Sequence, residues 1–222
     1  MATTSSSDFL ERRRYMVDCQ LRTGDVTNLN LLAAFLDAPR EAFVDPAVAA
    51  FAYMDSDQPA RGSKTRRLLA PLTLARLLQA ATVAPGEMAL DVAGGSGYSA
   101  AILARLGARV VALESDAGAA EAAKSELSGV ASAEVVVGDL AAGFPSKAPF
   151  DVIVVNGAFE VLPDILIAQL AENGRLVGVE ARRGAQEAVL LEKTAGGVSR
   201  RTLFETRIAP LDAFQRAPSF AF

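Results

Sequence analysis

The spacing of hydrophobic residues changes near residue 85. Residues 8–83 place apolar residues at helical spacing, interrupted by short polar breaks. From residue 85 onward, short apolar runs alternate with glycine turns and helical segments. Such alternation predicts parallel strands joined by crossover helices, which is the pattern of a doubly wound α/β domain.

The first part of the chain predicts three helices. Asp8 and Glu11 form a capping-box pattern, Asn28 precedes a second helix that Pro39 ends, and Pro71 begins a third. We therefore expect a disordered tail over residues 1–7, a helical N-terminal cover over 8–84 and a sheet domain over 85–222. The cover and the sheet domain are expected to form one structural unit.

The second part predicts a sheet with an antiparallel edge, formed by the runs Ala188–Leu191 and Thr202–Ile208. Five buried strands are expected before that edge, at Met88–Val92, Val110–Leu113, Val135–Val137, Val152–Val155 and Leu176–Val179. Helices are expected between them at Tyr98–Leu106, Ala117–Leu127 and Leu162–Leu170. The pattern thus predicts an α/β fold with an open, mostly parallel sheet that is covered on both faces.

Composition and charge exclude several classes of function. Of 222 residues, 51% are hydrophobic, yet no run approaches the roughly 18 apolar residues of a membrane span. The opening MATTSSS lacks the basic flank and apolar run of a signal peptide. A formal net charge of −4 argues against a nucleic-acid partner. We expect a cytoplasmic protein with neither a membrane nor a nucleic-acid partner.

Cysteine and histidine usage narrows the chemistry further. The sequence has no histidine, which excludes Ser-His-Asp and Cys-His catalysis as well as histidine-ligated metals. Cys19 is the only cysteine, so a cysteine-based zinc site is excluded, and its amphipathic surroundings predict a buried thiol. We expect no metal site.

Two basic clusters stand out from the acidic background. The run Arg12–Arg14 is interpreted as a solvated helix face. The second cluster, formed by Arg61, Lys64, Arg66 and Arg67, lies in a polar, turn-like segment before Pro71.

A glycine-rich turn follows the first strand of the sheet domain. The segment Asp91-Val-Ala-Gly-Gly-Ser-Gly-Tyr98 ends a strand and begins a helix, which brings backbone amides close to a nucleotide-like ligand. By itself this pattern is weak, because Gly95-x-Gly97-x-x-Ala100 also fits an NAD-binding fingerprint.

Three carboxylates at successive strand ends make the prediction more specific. Asp91 lies before the turn, where it is unfavourable for a diphosphate but suits a cationic amino-acid group. Glu114 ends the second strand and can accept from two ribose hydroxyls, while Asp139 follows the third and can accept from an adenine amino group. Each acid alone could equally be a loop residue or a helix cap.

With these residues, the chain resembles the class I methyltransferases, and more narrowly the protein-L-isoaspartate O-methyltransferases. Segments from Arg14 to Val177 carry the resemblance, which covers about residues 9–212; they are Arg14–Arg22, Ala38–Val44, Ala52–Asp55, Asp91–Tyr98, Glu114, Gly138-Asp139, Ala148–Val155 and Asn173–Val177. The resemblance implies a doubly wound, mostly parallel seven-stranded sheet with a helical N-terminal cover. It also implies S-adenosylmethionine contacts at Gly95, Gly97, Glu114 and Asp139. Ser115 and Leu140 would lie against the adenosine.

The chain departs from this family at two places. The first glycine of the turn is Ala93 here. The family's Gly-Gln-Thr-Ile-Ser-x-Pro segment, whose hydroxyls lie beside the methyl acceptor, corresponds to the stretch from Gly62 to Pro71, which is two residues longer. The acceptor-side serine becomes Leu69 or Arg67, depending on the alignment. We hypothesise weak or absent methylation of ordinary isoaspartyl peptides, with a loop that recognises a different or more acidic substrate. The alternative is a mobile, solvated loop whose charges have no function.

The absence of histidine fits methyl transfer to a carboxylate, because an anionic nucleophile needs no general base. The resemblance therefore implies a protein or peptide partner with a free carboxylate, and thus a protein-repair function, while catalytic residues and oligomeric state stay unassigned. The alternatives are a methyltransferase of the same fold with another acceptor, a non-catalytic S-adenosylmethionine-binding protein and an NAD-dependent enzyme.

Overall fold

The protein forms six α-helices and nine strands within the part of the chain that the computed structural model describes, residues 6–182 and 184–216. The helices are α1 (Ser6–Met16), α2 (Leu29–Asp37), α3 (Pro71–Ala81), α4 (Tyr98–Arg105), α5 (Ala117–Glu126) and α6 (Asp164–Ala168). The strands are β1 (Gln58–Pro59), β2 (Arg67–Leu68), β3 (Met88–Val92), β4 (Arg109–Glu114), β5 (Ala133–Val137), β6 (Phe150–Phe159), β7 (Leu170–Arg182), β8 (Ala185–Thr194) and β9 (Gly197–Glu205).

Seven of these strands form one sheet in the order β5-β4-β3-β6-β7-β8-β9. The pairs from β5 to β7 are parallel, whereas β8 is antiparallel to both of its neighbours. The predicted fold class and its antiparallel edge are therefore confirmed. The predicted helix Leu162–Leu170 is shorter than expected, because Leu170 already begins β7.

Side chains of the central strands alternate between two hydrophobic clusters, one on each face of the sheet. In β6, for example, Val152 and Val154 belong to one cluster and Ile153 and Val155 to the other. This period of two explains why the strands read as continuous apolar runs, since both faces are covered.

The N-terminal helices cover one of these faces together with α4. The side chain of Asn28 caps α2 by accepting from the amide of Leu31 at 3.1 Å, and Pro71 occupies the first turn of α3, as predicted. The first helix begins at Ser6, so the predicted tail is wrong for residues 6 and 7. The rest of that tail, residues 1–5, lies outside the described residues.

One prediction about this cover is wrong in part, and a second is wrong. Arg12 and Arg14 are exposed as predicted, whereas Arg13 pairs with Glu41 at 3.0 Å and donates to the Tyr53 hydroxyl at 2.8 Å, so it joins α1 to the loops behind it. Cys19 is exposed rather than buried. It lies in a π-helical turn that buries Val17 and Leu21 instead, because the wider turn changes which positions face the core.

A fully buried arginine connects the cover to the segment before α3. Arg40 donates to the carbonyl of Ala52 at 2.7 Å and to that of Leu69 at 2.8 Å, and its guanidinium lies 4.8 Å from the centroid of the Tyr98 ring. Burial lowers the pKa of Arg40. The two carbonyls therefore depend on one side chain for their hydrogen bonds.

None of the helices in the described ranges is long and apolar enough to cross a membrane.

We expect Arg40→Met to lower the free energy of unfolding by roughly 2–4 kcal/mol, because two buried carbonyls lose their donor. Removal of the buried charge offsets part of this destabilisation. Arg22→Met is the matched control: its exposed ion pair with Asp18 predicts a change within about 0.5 kcal/mol. Urea unfolding of the three proteins measures both effects. Equal destabilisation by the two substitutions would contradict the assignment.

Candidate functional site

The candidate site lies at the carboxyl ends of three neighbouring parallel strands. Glu114 is the last residue of β4, Asp91 is the penultimate residue of β3, and Asp139 follows β5 after one glycine. The register pairs Val92 with Leu113 and Glu114 with Val137, so the three strands end at one edge of the sheet. Ligands of open α/β sheets bind at this edge.

The turn after β3 requires unusual backbone conformations. Ala93, Gly95 and Gly97 have φ values of 58°, 63° and 95°. Gly94 leaves room for Asp91, since a Cβ at Gly94 would lie 2.2 Å from Asp91 Oδ2. Ala93 thus adopts a left-handed conformation, which costs an alanine about 1–2 kcal/mol.

Asp91 is fully buried and is held by two hydrogen bonds. Its oxygens accept from Ser99 Oγ at 2.7 Å and from Asn156 Nδ2 at 2.7 Å. Burial raises the pKa of Asp91 to about 6, with a further contribution from the charge of Glu114, although the two hydrogen bonds favour the ionised form. A cationic ligand group at this position would favour the charged carboxylate in the same way.

Glu114 is also buried, and it accepts from four donors. Oε2 accepts from the amide of Gly95 at 3.1 Å, and Oε1 accepts from the amides of Ser115 at 2.7 Å and Asp116 at 3.0 Å. The fourth donor is Arg66 Nε, at 2.8 Å from Oε1. The structure therefore brings the predicted residues Gly95, Glu114 and Ser115 together, and adds an arginine to them.

The residues after β5 are arranged differently. Asp139 is exposed, and its side chain caps a short helical turn by accepting from the amide of Ala141 at 2.9 Å. Leu140 is buried in the hydrophobic cluster on the face opposite the N-terminal cover. Their predicted contacts with an adenosine stay predictions, as do those of the other cofactor-binding residues.

The acceptor segment between Arg61 and Ala70 is anchored to the rest of the site. Strands β1 and β2 form a small antiparallel pair within and beside it, and Leu69 is buried. Ser63 Oγ donates to Asp116 at 2.6 Å and Arg61 pairs with Glu126 at 2.8 Å. These contacts do not fit the alternative of a mobile, solvated loop.

Sequence reasoning missed two residues that hold Asp91. Ser99 lies in the first turn of α4, and Asn156 follows the apolar run of β6 and also donates to the carbonyl of Val92 at 3.1 Å. A polar residue directly after Val152–Val155 was the available signal for Asn156, because strand ends at this edge face the site. The position of Ser99 depends on how α4 leaves the turn.

Within residues 6–182 and 184–216, no group of three or more aspartate, glutamate, cysteine or histidine side chains is arranged to hold a metal ion.

Comparisons with known proteins point to one family. Its sequence model, described as Protein-L-isoaspartate(D-aspartate) O-methyltransferase, matches residues 11–215. A protein-L-isoaspartate O-methyltransferase from Gloeobacter violaceus is 40% identical over 199 residues, which are 88% of this chain and 96% of the relative. One from Methanoregula boonei is 34% identical, covering 90% and 93% of the two chains.

Solved structures agree with this result. One structure of a protein-L-isoaspartate O-methyltransferase superimposes with a TM-score of 0.79 at 26% identity, over 90% of this chain and 65% of the other. A protein-L-isoaspartate O-methyltransferase from Plasmodium falciparum, solved with S-adenosyl-L-homocysteine, has a TM-score of 0.78 at 20% identity, covering 90% and 98% of the chains. At that identity the second likeness shows the fold alone.

We expect the carboxyl of Asp91 to titrate with a pKa of about 6 in the folded protein. Carbon-13 NMR of aspartate-labelled protein measures this value, with the resonance assigned by its absence in Asp91→Asn. The exposed Asp18 is the internal control. Because the folded pKa exceeds the unfolded value of 3.8, protonation favours the folded state, and this stabilisation is lost as the pH rises through about 6. A pKa below 4 for Asp91 would contradict the prediction.

Proposed function

Because the chain belongs to the protein-L-isoaspartate O-methyltransferase family, we propose that it is an S-adenosylmethionine-dependent carboxyl methyltransferase that acts on isoaspartyl residues of damaged proteins. The observation that carries the proposal is the placement of Asp91, Glu114 and Asp139 at the ends of three adjacent strands beside a glycine turn. The same edge positions the acceptor segment over the turn.

The residues at this edge fit the chemical groups of S-adenosylmethionine. In the proposal, Asp91 faces the amino-acid ammonium, Glu114 accepts from the ribose hydroxyls, and Asp139 accepts from the adenine amino group. Gly95 and Gly97 allow close approach of the backbone. Ser115 and Leu140 flank the adenosine. The acceptor segment would have to leave its described conformation before an adenosine could take this place.

When bound, the cofactor supplies a methyl group activated by its positively charged sulfur. The acceptor carboxylate is ionised at neutral pH, so this chain has no proton to remove from it, in agreement with the absence of histidine. The chain's own task is to align the acceptor and exclude water. Asn156, Leu69 and Arg67 line a small cavity beside the acceptor segment. Arg67 is exposed there and can hold a carboxylate by charge and hydrogen bonding.

The proposed partner is a protein or peptide that presents a free carboxylate. The positive charge of Lys64 and Arg67 on the exposed side of the acceptor segment supports a preference for acidic sequences around the isoaspartate. The cytoplasmic location stays a prediction from the sequence.

We expect the protein to form base-labile methyl esters on an isoaspartyl peptide and none on the same peptide with ordinary aspartate. Transfer of labelled methyl groups from S-adenosylmethionine measures this. A version with glutamate flanking the isoaspartate should be methylated faster than one with glutamine, and Arg67→Ala should reduce that difference. Binding of S-adenosylhomocysteine without ester formation on any of these peptides would instead favour a non-catalytic binding protein.

We also expect methyl transfer to be independent of metal ions, because an anionic acceptor and a charged methyl donor need no Lewis acid. Turnover is measured before and after exhaustive chelation of the purified protein. The prediction fails if chelation abolishes turnover and an added divalent cation restores it.

A further inference from the structure

Arg66 makes a two-point contact with the residues proposed to hold the adenosine. Its Nε donates to Glu114 Oε1 at 2.8 Å, and its terminal nitrogen NH2 donates to Ser115 Oγ at 2.8 Å. The side chains of Arg66 and Glu114 are 14% and 3% exposed. This is a largely buried ion pair, which is screened much less by solvent than a surface pair.

The contact occupies one of the two oxygens that a ribose diol would need. Glu114 Oε1 accepts from Arg66 and from the amides of Ser115 and Asp116, which is more than its two lone pairs, whereas Oε2 accepts from the amide of Gly95. Those amides belong to the glycine turn and to the start of the β4–α5 connection, so they are fixed by the fold. Arg66 is the one of the four donors that comes from a separate segment.

Other contacts hold the acceptor segment over the same edge. Ser63 and Thr65 both donate to Asp116, at 2.6 and 3.3 Å. A Cβ at Gly95 would lie 3.5 Å from a methyl carbon of Leu68 and 3.6 Å from the Cβ of Arg66, which shows how closely the segment approaches the turn. On the acceptor side of the segment, the cavity lined by Arg67, Leu69 and Asn156 has a volume of about 20 Å³.

We propose that Arg66 competes with the cofactor for Glu114, so that S-adenosylmethionine binds only when the acceptor segment moves and the guanidinium leaves the carboxylate. The inference rests on the proposed function and adds a control of cofactor affinity to it. The free energy of the Arg66–Glu114 contact is subtracted from that of cofactor binding, since the competent conformation is only a fraction of the free protein. Cofactor binding would thereby be coupled to the conformation of the acceptor segment.

The test is calorimetric titration of S-adenosylhomocysteine into wild type, Arg66→Ala and Arg66→Lys. Arg66→Ala should bind about tenfold to a hundredfold more tightly, because a hydrogen-bonded charge no longer has to be displaced. Arg66→Lys keeps the charge without the two-point geometry and should lie between the two. Lys64→Ala is the control for loop charge, since Lys64 is exposed, and it should change the affinity less than twofold.

A second measurement reports on the contact directly. The Nε–H resonance of Arg66, assigned by its absence in Arg66→Ala, should exchange slowly with water in the free protein and lose that protection when S-adenosylhomocysteine is added. This readout does not depend on turnover, and it is made on the wild-type protein, since Arg66→Ala serves only to assign the resonance.

The outcomes separate this inference from the proposed function. Equal or weaker binding by Arg66→Ala, with the Arg66 resonance still protected in the bound state, would overturn the competition and leave the function in place. Absence of binding by folded wild type and folded Arg66→Ala alike would overturn the proposed function, and the competition with it.

Discussion

The buried carboxylate of Glu114 joins three separate parts of the chain at one edge of the sheet. It accepts from the glycine turn through Gly95, from its own strand end through the amides of Ser115 and Asp116, and from the acceptor segment through Arg66. An ionised carboxylate at this depth is stable only if its lone pairs are satisfied. The turn, the strand end and the loop therefore adopt positions that depend on one another, and any ligand that takes a place on Glu114 must alter that arrangement.

Asp91, the second buried acid, is hydrogen-bonded by a different kind of partner. Asp91 has neutral partners, Ser99 and Asn156, and no cation is hydrogen-bonded to it among the contacts of the described residues. Burial and the nearby negative charge of Glu114 consequently raise its pKa, whereas Glu114 has an arginine to balance its charge. The two acids thus differ in what they can offer a ligand: Asp91 gains from a new positive charge, and Glu114 can accept a new donor on Oε1 only in exchange for an old one.

The acceptor segment has a different residue at the position of the family serine, and the structure shows the surroundings of that residue. The position of the family serine is either Leu69, which is buried and held through its carbonyl by Arg40, or Arg67, which is exposed at the small cavity. In the first case the family hydroxyl is replaced by core packing, and in the second by a longer cationic side chain. Either residue changes what this segment presents, whereas the three strand-end acids lie where the sequence predicts them.

The sequence by itself determined the mostly parallel sheet and the three acids at its strand ends, because apolar runs, glycine turns and strand-end positions are local patterns. For the same reason it also determined the cap Asn28 and the start of α3 at Pro71. Only the tertiary structure decided that Arg13 is paired rather than solvated, that Cys19 is exposed, and that Ser99 and Asn156 hold Asp91. The contact of Arg66 with Glu114 joins residues 48 positions apart. Such contacts depend on how a loop crosses the finished sheet, and no spacing along the chain encodes them.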